Sequence, residues 1–242
     1  MGKNDSLSDR MKRYEDTSRI FLLRRMYTII RIDGKAFHTY TKELKKPFDH
    51  DLIYDLDETA KFLCRNIQGC KLAYMQSDEI SLVLTDFDEL NTSAWFDNNI
   101  QKIVSVSASM ATSKFNQMRV LRNKEFLNKL AFFDARAFQV PTKTEVINYL
   151  IWRQNDAIRN SVLSVAQSFY SHEELQGKNI NQMLNMISKI GLNWDNLPSG
   201  LKRGRLIYKR QENKRSFWDL LSVTPSLKED KELVNKILPN NF

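Results

Sequence analysis

The sequence predicts an α+β fold of the split βαβ, ferredoxin-like kind, and three observations carry that expectation. Short apolar runs at residues 27–32, 72–75 and 80–84 have the length and composition of strands. A segment with helical spacing separates the first run from the other two, which lie only four residues apart. A second helical segment and a fourth strand follow, so the order is strand, helix, hairpin, helix, strand.

Taken in order, residues 5–26 read as a basic helix with Ser6 or Ser8 as its cap. Residues 27–33, "YTIIRID", are mostly apolar and suit a strand covered on both faces. Residues 34–50 read as irregular, with a break at Lys46-Pro47. Residues 51–67 put Leu52, Leu56, Thr59, Ala60 and Leu63 at helical spacing. The two strands at 72–75 and 80–84 form a hairpin whose tip is Gln76, Ser77, Asp78 and Glu79. Residues 93–117 read as one long helix, and its run "VSVSASMATSKF" is rich in small residues that allow close packing on a sheet. "LAFFDARAFQVP" (130–141) is the fourth strand, ending near Pro141, and Thr142 caps a helix that runs to residue 170. "RGRLIYKR" reads as a late strand. Residues 215–242 read either as a docking helix at a subunit contact or as a cap on the core.

Hydrophobic residues make up 42% of the 242, which is enough for a sizeable core and argues against disorder. Lys and Arg number 37 against 29 Asp and Glu, a formal charge of +8. Such a surface attracts polyanions, although a basic balance can also serve solubility alone. The charge is clustered: Lys202, Arg203, Arg205, Lys209, Arg210, Lys214 and Arg215 lie near one end, and Arg10, Lys12, Arg13, Arg19, Arg24 and Arg25 near the other. Cys64 and Cys70 fit neither a zinc pattern nor a disulfide framework and read as reduced thiols of a cytoplasmic protein. The N-terminus lacks an apolar signal region, and no apolar run approaches the ~20 residues of a membrane span.

The topology makes one chemical prediction. In a split βαβ sheet the first strand ends beside the hairpin that joins the second and third. Asp33 ends the first strand and Asp78 sits in the hairpin, so two carboxylates 45 residues apart in sequence should share one edge. Like charges at that distance repel unless a cation joins them. Two carboxylates and the carbonyl of Gly34 make a hard-oxygen set that suits magnesium, and two such ions can activate a hydroxyl and neutralise a leaving phosphate. The competing reading is plain turn chemistry, since Asp-Gly and Ser-Asp are routine turn pairs. Lys35 and Lys46 could meet phosphates or simply be solvated, and His38 reads as a packing or hydrogen-bonding residue.

"RIDGKAFHTYTKELKKPFDHD", "YMQSDEISLVL", "FFDARAFQVPT", "WRQNDAIRNSV" and "GLKRGRLIY" resemble, in order, the motifs of the tRNA-His guanylyltransferase family. The resemblance implies a polymerase-type palm that adds nucleotides to the 5′ end of tRNA in the 3′-to-5′ direction. It implies a palm catalytic core at 1–140 and a helical extension at 141–242, integrated into one domain. By the resemblance, Asp33, Asp78 and the carbonyl of Gly34 bind two Mg2+, and Glu79 belongs to the acidic site. Asp33, Gly34, Lys35, Ala36, Phe37, His38, Lys46, Ser77, Asp78, Arg136 and Asn160 contact the nucleoside triphosphate. Lys202, Arg203, Arg205, Lys209 and Arg210 would hold the tRNA backbone, and a homotetramer is implied.

The chain departs from the family in one place. Eukaryotic members carry His-Ile-Asn-Asn-Leu-Tyr-Asn where this chain has Ile158 to Ser164, keeping only Asn160. That points to the guanylyltransferase-like branch, which repairs 5′-truncated tRNAs by templated addition. Two rivals stay open: a nucleotidyl cyclase built on the same palm, and a non-catalytic tRNA-binding module.

Overall fold

The computed structural model describes residues 6–212 and 215–240; the start of the expected first helix at residue 5, and Lys214, lie outside them. Helix α1 (Leu7–Asp16) is capped by Ser6, whose hydroxyl accepts from the backbone N–H of Asp9. It stops ten residues short of the expectation. Residues 17–26 are irregular instead, with turns at 17–18 and 24–25, because Phe21 bridges to Asn99 and Arg25, with φ 62°, turns the chain toward Asp86. Strand β1 (Tyr27–Gly34) follows, then the single turn α2 (Phe37–Tyr40) and helix α3 (His50–Asn66). Asp49 caps α3 by accepting from the N–H of Leu52 at 2.8 Å.

Strands β2 (Cys70–Gln76) and β3 (Glu79–Leu84) form the hairpin. Gln76 and Glu79 pair within the ladder, so the tip is only Ser77 and Asp78. The expected helix at 93–117 is a 3-10 turn at Trp95–Asn98 followed by α4 (Ile100–Arg122). The break comes where Phe96, Asp97 and Asn98 take positive φ and Asn99 caps the new helix. Strand β4 (Phe133–Val140) and helix α5 (Lys143–Gln167), capped by Thr142 as expected, complete the split βαβ unit.

Helices α6 (His172–Leu175) and α7 (Ile180–Lys189) pack around a satellite core on the far half of α5, and α8 (Ser199–Arg203) lies against α5 as well. The late strand appears as β5 (Arg205–Glu212), and an unanticipated β6 (Arg215–Leu220) pairs with it. The sheet order is β4-β1-β3-β2-β5-β6, antiparallel throughout.

The alternation along β1 divides the core. Ile30 and Ile32 face α3 and α4, whereas Tyr27 and Ile29 face α5. The last helix, α9 (Glu232–Ile237), takes the capping alternative: Leu227, Val234 and Leu238 are buried in the α5-side core, and the Tyr27 hydroxyl donates to the carbonyl of Pro239. Among the described residues no helix is long and apolar enough to cross a membrane.

Candidate active site

The carboxylate edge forms as the topology requires. Ile32 lies opposite Ile80, so the end of β1 comes beside the hairpin tip. Ser77 takes a left-handed φ of 50°, and its hydroxyl donates to Asp78 Oδ1 at 2.8 Å. Gly34 is there because of space. A Cβ at that position would sit 2.7 Å from Asp78 Oδ2 and 2.2 Å from the Phe37 ring. Gly34→Ala is therefore expected to displace the Asp78 carboxylate and lower any activity housed at this edge by at least tenfold, with a smaller loss of stability; single-turnover kinetics and thermal melts would check this.

Burial pushes the Asp78 carboxyl up to about 6; hydrogen bonds from Ser77 and its own backbone oppose that rise, and the charges of Asp33 and Glu79 add to it. Asp33 is half-buried, level with Asp134 of β4. Glu79 differs from both. Arg153 of α5 grips it with two hydrogen bonds of 2.8 Å, Ser81 donates at 3.3 Å, and Arg31 lies 4.0 Å away. Its pKa is raised by burial and pulled back by Arg153. Its oxygens are thus already satisfied by a buried ion pair.

Beside this edge opens a cavity of about 760 Å³ between the 42–49 loop, α3, α5 and α8. Of the expected nucleotide-site residues, Gly34, Ala36, Phe37, His38, Lys46, Ser77, Asp78 and Asn160 line it. Ala36, with φ 51°, turns the chain into α2 and tucks the Phe37 ring against Tyr40, Phe115 and Phe133. Asn160 donates to Gln76 Oε1 at 3.1 Å. Lys42, Lys45 and Gln76 also line the cavity, and the sequence reading passed them over; a lysine-rich loop after the Asp-Gly turn was the available signal. Asp33, Lys35 and Arg136 are not part of the lining. The Lys35 N–H donates to the carbonyl of Phe132, and Arg136 is half-exposed on β4, 3.7 Å from Asp134.

The C-terminal basic run does not act as one surface. Lys202 is buried, donates to the Asp195 carbonyl at 2.5 Å, and lies over the Trp194 ring. Arg205 is buried against Asp57 of α3 at 2.6 Å and borders the cavity. Both side chains lock α8 and β5 onto the core and cannot reach an RNA backbone at the surface. Arg203 is partly exposed, and Lys209 and Arg210 are exposed, with Arg210 beside Asp219 at 3.4 Å. In the N-terminal cluster, Arg24 is bound to Asp86 at 2.6 Å.

The edge fits magnesium. Its donors are all hard oxygens, Asp78 is a half-buried carboxyl whose ionisation a cation would favour, and the glycine keeps the cradle open. Among the described residues no group of three or more His, Cys, Asp or Glu side chains is preassembled as a metal cage.

A split βαβ sheet with a carboxylate pair at one edge, facing a lysine-lined cavity, defines a palm-type nucleotidyltransferase. The tRNAHis guanylyltransferase family model matches residues 8–141, and the chain belongs to that family. It is 29% identical to the tRNA(His) guanylyltransferase of Schizosaccharomyces pombe over 94% of this chain and 89% of that one. Among solved structures it resembles a bacterial tRNA(His) guanylyltransferase-like protein in complex with ATP, with TM-score 0.90 and 48% identity over 96% of this chain and 98% of that one. It also resembles such a protein in complex with GTP, with TM-score 0.82 and 47% identity over 96% of this chain and 99% of that one.

Proposed function

We propose that this protein is a magnesium-dependent nucleotidyltransferase that adds nucleotides to the 5′ end of tRNA in the 3′-to-5′ direction, selecting each by base pairing with the opposite strand. Its task is the repair of 5′-truncated tRNA. The observation that carries this reading is the approach of Asp78 to Gly34 and Asp33 at the mouth of a cavity large enough for a nucleotide. The templated, repair-type activity is supported by the higher identity to the guanylyltransferase-like protein and by the divergent Ile158–Ser164 run.

Two substrates have to meet at the acidic edge. The triphosphate occupies the cavity, with Lys46 beside its phosphates and Asn160, fixed by Gln76, on the facing wall. Asp33, Asp78 and the carbonyl of Gly34 would hold two magnesium ions. When bound, these ions supply the positive charge that eases ionisation of the attacking group and neutralises the leaving phosphate. Glu79 is held by Arg153 and acts as a fixed negative charge that keeps the hairpin tip in place.

A 5′-monophosphate oxygen of the RNA attacks the α-phosphorus of ATP, and pyrophosphate leaves as the α–β anhydride breaks. The 3′-hydroxyl of the incoming nucleotide then attacks the activated 5′ phosphorus, losing its proton as AMP departs. An end that already carries a triphosphate omits the first step and releases pyrophosphate. Arg203, Lys209 and Arg210, with the exposed face of α1, contact phosphates without reading sequence. Assembly as a homotetramer belongs to this proposal, and the buried thiols Cys64 and Cys70 fit action in the cytoplasm.

A tRNA transcript lacking its first nucleotide, given all four triphosphates and magnesium, should regain the complementary nucleotide. Chelation of the metal should stop the reaction. Formation of a cyclic nucleotide without RNA would favour the cyclase rival, and tRNA binding with no incorporation would favour the binding module.

A further inference from the structure

Beyond the cavity, the other side of the acidic edge carries a feature that the catalytic scheme leaves unused. Trp152 of α5 leaves 54% of its surface in solvent, although it stands beside the buried ion pairs of the sheet. Its ring does not swing freely. The guanidinium of Arg153 packs 4.4 Å from the ring centre and is itself fixed by Glu79 and Asp156. Tyr149 meets the ring at 5.9 Å, and Arg31 approaches at 5.8 Å. A large aromatic surface held rigid and left exposed fits stacking better than packing.

Its neighbours favour an anion. Arg31 and Arg136 stand directly opposite each other on β1 and β4. Like charges in that register cost stability unless something answers them. Their acidic partners hold them loosely, at 4.0 Å for Arg31 to Glu79 and 3.7 Å for Arg136 to Asp134, and among the described residues Arg31 Nε is buried without a hydrogen-bond partner. Asp33 follows Arg31 by two residues on the same face of β1, roughly 7 Å along the strand. None of Trp152, Arg31 and Arg136 lines the nucleotide cavity. The acidic edge therefore has a cavity on one side and an aromatic, cationic shelf on the other.

We propose that Trp152 is the stacking platform for the terminal nucleobase of the RNA 5′ end, with Arg31 and Arg136 beside it as the seat of the terminal phosphate. The proposal rests on the functional reading above, because it needs an RNA end to meet the triphosphate at Asp33. Trp152 positions that end; it touches no reacting atom.

The test is direct binding of a 5′-monophosphorylated tRNA lacking its first nucleotide, measured with wild type, Trp152→Ala, Trp152→Phe and Arg136→Ala. ATP affinity and thermal midpoint are measured alongside. Loss of one base stack should weaken RNA binding roughly tenfold in Trp152→Ala, and Trp152→Phe should recover most of it. Arg136→Ala should lower the salt slope of RNA binding by about one ion. ATP affinity should stay unchanged in both Trp152 variants. RNA affinity equal to wild type in Trp152→Ala would overturn the proposal. So would a loss of ATP affinity with RNA affinity intact, which would mark the shelf as a seat for a free nucleotide. If Trp152→Ala melts early, Trp152→Phe decides: weak RNA binding despite a wild-type midpoint would also overturn it. Because these measurements read binding, they stand apart from the extension assay. A wild-type protein that bound truncated tRNA through Trp152 without extending it would sink the catalytic reading and leave the shelf.

Discussion

Asp78→Asn is expected to abolish nucleotide transfer and, at the same time, to make the metal-free protein more stable at neutral pH. The change keeps the shape and the Ser77 contact but removes the charge. Transfer should fall by several orders of magnitude, because the substitution removes one of the two carboxylates proposed to hold magnesium. Asp33→Ala should lose activity on a similar scale.

The stability effect has the opposite sign. The Asp78 carboxyl has a pKa of about 6 in the fold against 3.8 as its ordinary value, because burial disfavours the anion. A raised acid pKa contributes stability that is complete below about pH 4 and lost as pH rises through 6. By pH 7.5 the loss is on the order of 1–3 kcal/mol, and the asparagine avoids it. Without metal, the melting difference between variant and wild type should be absent at pH 4 and present at pH 7.5. Added magnesium should raise the wild-type midpoint and leave Asp78→Asn nearly unmoved. A wild-type rate in the variant, or an equal magnesium response, would rule out Asp78 as a metal ligand.

Asp55→Ala should be among the most destabilising single changes in the chain. Asp55 is fully buried on α3 and receives Arg119 Nη1 at 3.0 Å and two nitrogens of Arg122 at 2.8 and 3.3 Å, all from α4. Arg119 is 2% exposed and lies 4.0 Å over the Phe126 ring. Removing the carboxylate strands a buried guanidinium, which costs about 3–5 kcal/mol. Replacing the two fully buried members with apolar residues, as in Asp55→Leu with Arg119→Met, should cost far less, because no buried charge is left unpaired and Arg122 keeps Asp51 at 2.9 Å. Urea denaturation of the two variants makes the comparison. A single variant within 1 kcal/mol of wild type would show that the ion cluster does not clamp α3 to α4. The clamp matters for function because Leu52, Ile53 and Leu56 of the same helix line the cavity.

Much of this site is legible in the sequence. Asp33 and Asp78 could be brought together from topology alone, because an apolar run ending in Asp-Gly and a four-residue gap between strands allow few sheet arrangements. The role of Gly34 changed its reason. The sequence suggested a turn residue whose carbonyl could face a cation, and the structure adds a contact with Asp78 that leaves no space for a Cβ. Glu79 looked like a third acidic-site residue, yet Arg153, 74 positions away, already occupies its oxygens. Lys202 and Arg205 looked like phosphate contacts, and both turned inward. A linear basic run does not say which way each side chain points when one strand end and one helical turn split it. Trp152 gave no signal, since an exposed tryptophan and a buried one read alike in a helical pattern.

The sequence by itself determined the strand order of the palm, the cap at Thr142, and the placing of Asp33 and Asp78 at one edge. These depend on local periodicity, turn chemistry and a chirality rule, and all three are written in neighbouring residues. Only the tertiary structure decided which charges are spent inside the protein and which remain for a substrate. That choice depends on burial and on partners dozens of residues away. A charge is removed from solvent only when the fold supplies its counter-ion, as it does for Glu79, Asp55 and Arg205.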